Sequence, residues 1–303
     1  MQLVDSQTLA PSKRSEKSAR LLETITESQL RDWVNRISIP RHYAAEPEAN
    51  VATAKWIHET LEAMGFHVER QGFYSNIVAS PELASREVIL VGAHYDSVPM
   101  TPGADDNASA VAAMLGCAAA CSLWRPALPI IFVAFNCEED GLAGSCEFVS
   151  EFLPKAPYRI RCAHILEMVG FATNEPGSQR VPAGLPIRLR SAGDFLGLLA
   201  NSASTEFMNQ ALHNAGAYVP KLPVTGLGVK LGLEKLLPVL ARSDHAPFWN
   251  ANVPAVMWTD TSEFRNPHYH QKSDTPETLN YEFLRQVTQL LTASIIDLAE
   301  NNL

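Results

Sequence analysis

Apolar runs of strand length, alternating with helical patterns, constrain this chain more than any other feature of its sequence. Residues 87–93, 129–135, 163–169 and 254–259 are short segments rich in apolar side chains, as is typical of strands covered on both faces. An alanine-rich segment from about 107 to 123 separates the first two, and an amphipathic pattern occupies about 281 to 299. This alternation predicts an α/β fold with a largely parallel sheet.

The 303 residues are 46% hydrophobic and 19% charged, which permits a sizeable core and excludes a disordered chain. Residues 1–20 are polar and mixed in charge, and we expect a mobile tail there. We expect residues 21–303 to form a single domain. Within it, residues 171–240 mix glycine and proline with short apolar runs, which favours an insertion or a lid.

Charge and composition narrow the classes of partner. With 24 basic and 33 acidic residues, the net charge of −9 argues against nucleic acid or an anionic membrane as the main partner. No apolar run reaches the roughly 18 residues of a membrane span, and the first residues do not resemble a secretory signal. Five cysteines, an odd number, exclude a disulfide scaffold. We therefore expect a cytoplasmic protein, and the sequence does not indicate its oligomeric state.

Side chains that bind metals cluster where the predicted strands end. Ligands of open α/β sheets bind beyond the carboxyl ends of the strands. The chain places acidic and imidazole groups at these ends and in the flanking loops, namely His94, Asp96, Asp105, Asp106, Glu138, Glu139, Glu167, His268, His270 and Asp274.

Each of these groups has an ordinary structural interpretation when taken alone. Asp105 and Asp106 resemble a helix N-cap, for example, and Glu138 and Glu139 a solvated turn. Taken together, converging carboxylates would repel one another, and no motif rich in arginine or lysine is interleaved with them. One or two divalent metals would neutralise them, and histidine with carboxylates suits zinc best. One of the adjacent glutamates is then free to act as a general base.

Five blocks carry a specific resemblance to a known family. They are Gly92-Ala-His-Tyr-Asp-Ser97, Gly103-Ala-Asp-Asp-Asn-Ala-Ser109, Glu138-Glu-Asp-Gly-Leu-Ala-Gly-Ser145, Ser243-Asp-His245 and Tyr269-His-Gln-Lys-Ser-Asp-Thr275. In this order, over roughly residues 45 to 300, the chain resembles the zinc-dependent aminopeptidase family. That family also contains glutamate carboxypeptidases and glutaminyl cyclases.

The resemblance implies two zinc ions per chain and five protein ligands. His94 and Glu167 would hold one zinc, Glu139 and His270 would hold the other, and Asp106 would bridge both. The fold it implies is a three-layer α/β/α sandwich around a mixed sheet of about eight strands.

The same resemblance assigns the supporting roles. Glu138 would be the general base that takes a proton from water activated by the zinc ions, and Asp96 would orient His94. His245 and Arg242 are expected on the substrate side, with His245 tying down a loop there rather than binding metal.

Two departures from the family pattern matter. Glu167 stands where the family usually has aspartate, and it is one methylene longer. Leu240 stands where some members have a tyrosine that stabilises the oxyanion. In this chain the metals or Arg242 would have to stabilise the oxyanion, or no group does.

The sequence favours an aminopeptidase that hydrolyses N-terminal residues from peptides or amino-acid amides. A glutaminyl cyclase with a single zinc is the main alternative, although such cyclases usually lack the ligand equivalent to His94. A non-catalytic metal-binding relative, an amidase and a carboxypeptidase also stay open. Preference for a substrate side chain is expected to reside in residues 171–240 and near Trp258.

Overall fold

The computed structural model describes residues 1–83, 85–124 and 126–300, and a single mixed sheet runs through its centre. The nine strands are β1 (Gln2–Asp5), β2 (His67–Gln71), β3 (Asn76–Ser80), β4 (Glu87–His94), β5 (Ile130–Phe135), β6 (Arg159–Glu167), β7 (Leu196–Ala200), β8 (Val224–Gly228) and β9 (Ala255–Thr259).

The strands are ordered β1-β8-β7-β9-β6-β4-β5-β3-β2 across the sheet. Strands β5, β4, β6 and β9 form a continuous parallel block, and β7 and β8 form a second parallel pair. The remaining pairings are antiparallel. The prediction of an α/β fold around a mixed, largely parallel sheet is confirmed, with nine strands instead of about eight.

Helices cover both faces of the sheet and complete a three-layer sandwich. The larger helices pack on one face, and α5, α7 and several loops pack on the other. The helices are α1 (Glu16–Leu22), α2 (Glu27–Ile37), α3 (Pro47–Ala63), α4 (Ala110–Ser122), α5 (Ala143–Glu147), α6 (Thr205–Tyr218), α7 (His245–Asn250) and α8 (Tyr281–Glu300). Over the part of the chain that the structure describes, no helix is long and apolar enough to cross a bilayer.

The N-terminal residues differ from the expected mobile tail. Strand β1 adds to the edge of the sheet, where it pairs antiparallel with β8. Ser12 then donates a backbone hydrogen bond of 3.0 Å to the His213 carbonyl on α6. Polar composition alone misled the prediction, because an edge strand needs few apolar side chains to form its backbone hydrogen bonds.

Residues 171–240 also differ from the expectation of an insertion or lid. They contribute β7, α6 and β8, and both strands belong to the central sheet. The sequences of these strands, Leu196-Gly-Leu-Leu-Ala200 and Val224-Thr-Gly-Leu-Gly228, are short and contain glycine. Glycine lowers strand propensity, so the pattern was too weak to predict them.

Candidate metal centre

Three adjacent parallel strands deliver acidic and imidazole groups to one edge of the sheet. His94 is the last residue of β4, and Glu167 is the last residue of β6. Glu138 and Glu139 follow β5 after a two-residue turn. Because β5, β4 and β6 run in the same direction, their carboxyl ends bring these four side chains together.

Two loops complete the cluster from outside the parallel block. Asp106 lies in the loop that leads into α4, and His270 lies in the segment after β9. Gly103 permits the sharp entry to the first loop, since its φ is +58° and a Cβ there would lie 2.2 Å from the Asp106 carbonyl oxygen.

The side chains form two donor groups, in each of which the candidate ligand atoms lie within 4.8 Å of one another. The first donor group is His94, Glu138 and Glu167, and the second is Asp106, Glu139 and His270. All six residues were singled out from the sequence.

Asp106 lies between the two donor groups. Its Oδ1 is 3.4 Å from His94 Nε2, and its Oδ2 is 3.1 Å from His270 Nε2. Glu167 Oε2 lies 3.5 Å from His94 Nε2, and Glu139 Oε2 lies 3.4 Å from His270 Nε2. One carboxylate therefore faces both histidines, and each histidine also faces a second carboxylate.

The residues present fit bound cations. Neither ring nitrogen of His94 makes a hydrogen bond although both are buried, and Glu139 Oε1 is likewise buried without a partner. Polar atoms in such surroundings cost free energy unless something satisfies them. Imidazole nitrogens together with carboxylate oxygens are the donors that zinc prefers.

The electrostatics of the protein groups lead to the same conclusion. Burial raises the pKa of Glu139 to about 7, and the neighbouring charge of Asp106 adds to this rise. Burial also raises the pKa of Glu138 well above its usual range despite the opposing effect of His94, and Glu167 raises it further. Divalent cations would relieve the repulsion among these crowded carboxylates.

Asp96 joins the imidazole to the turn that carries the two glutamates. Its Oδ1 lies 3.4 Å from His94 Nδ1, and its carboxylate accepts backbone hydrogen bonds from Glu138 at 3.2 Å and Glu139 at 3.3 Å. The side chain is completely buried. Its position suits the expected orientation of His94.

Arg41 is a structural partner of the centre that sequence reasoning missed. It is fully buried, and its guanidinium donates to the carbonyl oxygens of Tyr95 at 2.6 Å, Pro102 at 2.5 Å and Gly103 at 2.9 Å. It thus holds the segment after His94 against the segment before Asp106. No spacing or periodicity in the sequence distinguishes this arginine from the others.

Asp274 fixes the same loop from the opposite side. Its two carboxylate oxygens accept the backbone N–H groups of Asp105 at 2.9 Å and Asp106 at 3.1 Å. This carboxylate was among the acidic groups noted in the sequence, and it is engaged with the backbone rather than belonging to either donor group.

Arg242 and Tyr269 lie at the rim of the centre. Arg242 forms an ion pair with Glu263 and donates a hydrogen bond of 3.2 Å to the Tyr269 hydroxyl. The Tyr269 ring stacks on His270 with 3.7 Å between ring centroids. The hydroxyl and guanidinium groups are therefore held next to the second donor group.

His245 lies deeper than the rim. It is fully buried, its Nε2 lies 2.9 Å from the Leu240 carbonyl oxygen, and its ring contacts Trp249. These contacts hold the loop that carries Arg242. Ser243, which follows Arg242 in the chain, donates a hydrogen bond of 2.6 Å to Glu167 Oε2.

A cavity of about 500 Å³ opens beside both donor groups. Five candidate metal or base residues line its inner end, namely Asp106, Glu138, Glu139, Glu167 and His270. Arg242 and Tyr269 line it as well, whereas His245 is not among the lining residues. The cavity is therefore in position to hold a molecule that contacts the centre.

The chain is similar to known proteins in sequence and in fold. The chain is 31% identical to YfbL of Escherichia coli over 295 residues, covering 84% of this chain and 89% of YfbL. It is 27% identical to the solved structure of BSAP, a zinc aminopeptidase from Bacillus subtilis, with a TM-score of 0.55 over 75% of this chain and 50% of BSAP. This chain thus spans about half of BSAP.

The solved structure of LapB from Legionella pneumophila is similar in fold, with a TM-score of 0.75 and 22% identity over 98% of this chain and 80% of LapB. The family model described as Peptidase family M28 matches residues 76–295, which include every residue of both donor groups. The chain therefore belongs to peptidase family M28 and is a zinc metallopeptidase.

Proposed function

We propose that this protein is an aminopeptidase that holds two zinc ions and hydrolyses the peptide bond after a free N-terminal residue. The observation that carries the proposal is the position of Asp106, whose two carboxylate oxygens face His94 and His270 separately. A carboxylate shared in this way is the usual bridge between two metals about 3.5–4 Å apart.

Five of the six residues in the two donor groups are proposed as ligands, and the sixth, Glu138, is not. His94 and Glu167 would hold one zinc ion, Glu139 and His270 would hold the other, and Asp106 would contact both. Bound zinc supplies Lewis-acid polarisation of a carbonyl and lowers the pKa of water.

Glu138 is proposed as the general base. Its side chain lines the cavity, and its Oε2 lies 3.9 Å from His94 Nε2. The backbone hydrogen bond from Glu138 to Asp96 fixes the turn on which it is carried. The carboxylate would take a proton from the attacking water and give it to the departing amine.

The rim supplies groups that would position the substrate. The Tyr269 hydroxyl and the Arg242 guanidinium are hydrogen-bond donors beside the second donor group. Because Leu240 stands where some family members carry a tyrosine, these two donors would contact the substrate carbonyl instead. The acidic residues at the inner end of the cavity would favour a protonated α-amine.

A glutaminyl cyclase would need only one zinc ion. The two donor groups, each with its own histidine, support two ions and therefore favour the peptidase over the cyclase. Presence of both Glu138 and Glu139 also favours a catalyst over a non-catalytic metal-binding relative.

Turnover of leucyl p-nitroanilide and of its N-acetyl derivative tests the proposal directly. Zinc-loaded protein is expected to hydrolyse the first substrate and to leave the second intact, and a chelator should abolish the activity reversibly. Equal hydrolysis of both substrates would indicate an amidase. Cyclisation of an N-terminal glutamine with no hydrolysis of leucyl p-nitroanilide would indicate a cyclase instead.

A further inference from the structure

The cavity beside the donor groups extends across the sheet, well beyond the candidate metal ligands. One row of its floor begins next to Glu167, which is in register with Thr259 on β9. The row continues through Gly197 on β7 and Thr225 on β8, which are also in register, and all three residues line the cavity. The floor therefore leads from a residue of the first donor group towards the edge strand.

A second row of the floor lies beside the first and is wholly apolar. Met257 on β9, Leu199 on β7, Leu227 on β8 and Leu3 on β1 are in register with one another and line the cavity. Neighbouring strands are about 4.8 Å apart, so this row spans about 14 Å from β9 to β1.

The cover of the cavity is also apolar. Leu185, Ile187, Phe195, Val239 and Phe264 line it from the loops that pass over the sheet. Gly197 has no side chain, so it adds no atoms to the floor between Thr259 and Thr225. Floor and cover thus form a channel, defined by the two floor rows and these five residues. Its lining is mainly apolar, and Thr259 and Thr225 add uncharged polar side chains along the first row.

Charged groups are confined to the ends of the channel. Among the described lining residues other than the donor groups, the charged ones are Arg242 and Glu263, which are paired with each other at the rim. A charged side chain entering the channel would lose its hydration without gaining a partner, at a high cost in free energy.

We infer that the channel binds the side chain of the N-terminal residue of the substrate and selects long, apolar side chains, including ones longer than leucine. The inference rests on the proposed aminopeptidase function, since it places the scissile bond at the donor groups. It also gives strand β1 a role in substrate binding, because Leu3 of this strand forms the far end of the channel.

The length of the channel predicts a dependence on chain length. Burial of each methylene group is worth about a fourfold change in affinity. A straight apolar side chain should therefore gain up to this factor per methylene until it reaches Leu227 and Leu3. A shallow pocket for one ordinary side chain would stop rewarding length at norleucine.

The experiment uses a series of p-nitroanilides of alanine, norleucine, 2-aminooctanoate and 2-aminodecanoate with the zinc-loaded protein. The expected result is a rise in kcat/KM along the series, mostly through KM, and little turnover of lysyl and glutamyl substrates. Calorimetry of butylamine, hexylamine and octylamine with the metal-free protein measures the same channel without catalysis, and the Kd should fall with length.

Two variants locate the channel. Leu227→Trp fills its far half, and Leu3→Trp does the same from the edge strand, where folding tolerates change best. Both should reduce kcat/KM for the two longest substrates at least tenfold and leave alanine and norleucine within about threefold. Leu236→Trp is the matched control, since Leu236 is 74% exposed and does not line the cavity.

The outcomes separate the two proposals. The inference about the channel is wrong if kcat/KM stays flat or falls beyond norleucine. It is also wrong if both variants keep the wild-type dependence on chain length. Either result would leave the proposed aminopeptidase function intact. If no aminoacyl substrate is hydrolysed, the proposed function fails, and the alkylamine series still decides the channel. If the Kd of the amines does not change with their length, the inference about the channel is wrong.

Discussion

Arg41 Nη2 donates a hydrogen bond of 2.9 Å to the carbonyl oxygen of Gly103, three residues before Asp106 in the chain. The same guanidinium binds the Tyr95 carbonyl directly after His94. One buried side chain therefore spaces two segments that carry candidate ligands to both donor groups.

Replacement of Arg41 by methionine should destabilise the protein and weaken zinc binding. The change leaves several buried carbonyl oxygens without donors, each worth about 1–3 kcal/mol, so we expect a loss of about 2–5 kcal/mol in the free energy of unfolding. Urea denaturation of the metal-free protein measures it. Arg36→Met, at an exposed position, should stay within about 0.5 kcal/mol of wild type. Equal stability of the two variants would show that Arg41 does not hold the loops.

Single histidine replacements should separate the two metal sites. His94→Ala removes an imidazole from the first donor group, and His270→Ala removes one from the second. Each variant should retain about one equivalent of zinc, measured by elemental analysis after removal of unbound metal. Two equivalents retained by either variant would contradict the assignment of that histidine.

Glu167 departs from the family pattern and provides a finer test of the ligand set. Its Oε2 lies 3.5 Å from His94 Nε2 and accepts a hydrogen bond from Ser243. Glu167→Ala should weaken one zinc site strongly, whereas Glu167→Asp should keep both ions with lower affinity because the shorter side chain loses the Ser243 contact. Competition with a zinc-binding dye measures both affinities. Normal binding of both ions by Glu167→Ala would mean that another oxygen is the ligand.

Buried His164 should make stability depend on pH. Burial lowers the pKa of His164 to about 3, and Trp258 donates a hydrogen bond to its Nδ1. The unfolded chain takes up this proton below about pH 6.5 and the folded protein does not, so stability falls as pH decreases from 6.5 towards 3. The contribution is about 1–2 kcal/mol between pH 6.5 and pH 5.

Urea denaturation of metal-free protein at pH 7, 6 and 5 checks this expectation. His164→Gln should lose less stability on acidification than wild type, even if it is less stable at pH 7. His67→Gln, at an exposed position, should follow the wild-type pH dependence. If the free energy of unfolding of His164→Gln depends on pH as steeply as that of wild type, His164 is not the neutral, buried group described here.

The central strands could be predicted from the sequence because burial on both faces leaves continuous apolar runs. Strands β4, β5, β6 and β9 correspond to such runs. Strands β7 and β8 could not, since glycine interrupts them, and β1 could not, since it is an edge strand. The position of β7 and β8 beside β9 depends on pairings distant in sequence, and no local pattern records them.

The residues of the candidate site could also be predicted only in part. Strand ends and motif blocks drew attention to the six members of the donor groups, because metal-binding side chains are chemically distinctive. Arg41 was missed because most of its partners are backbone carbonyls more than 50 residues away. The expectation that specificity resides near Trp258 stays a prediction. Met257 and Thr259, on either side of Trp258, line the cavity, whereas the Trp258 indole donates a hydrogen bond to His164.

The role of Glu138 is the most direct test of the account, because only a catalyst needs a base beside the ligands. Glu138→Gln keeps the size of the side chain and removes its basicity. Loss of a general base typically lowers turnover by about 10²–10⁴-fold. We predict such a loss in kcat for leucyl p-nitroanilide, with zinc content and the free energy of unfolding close to wild type. Glu138→Gln protein that binds two zinc ions and retains most of its turnover would contradict the proposed mechanism.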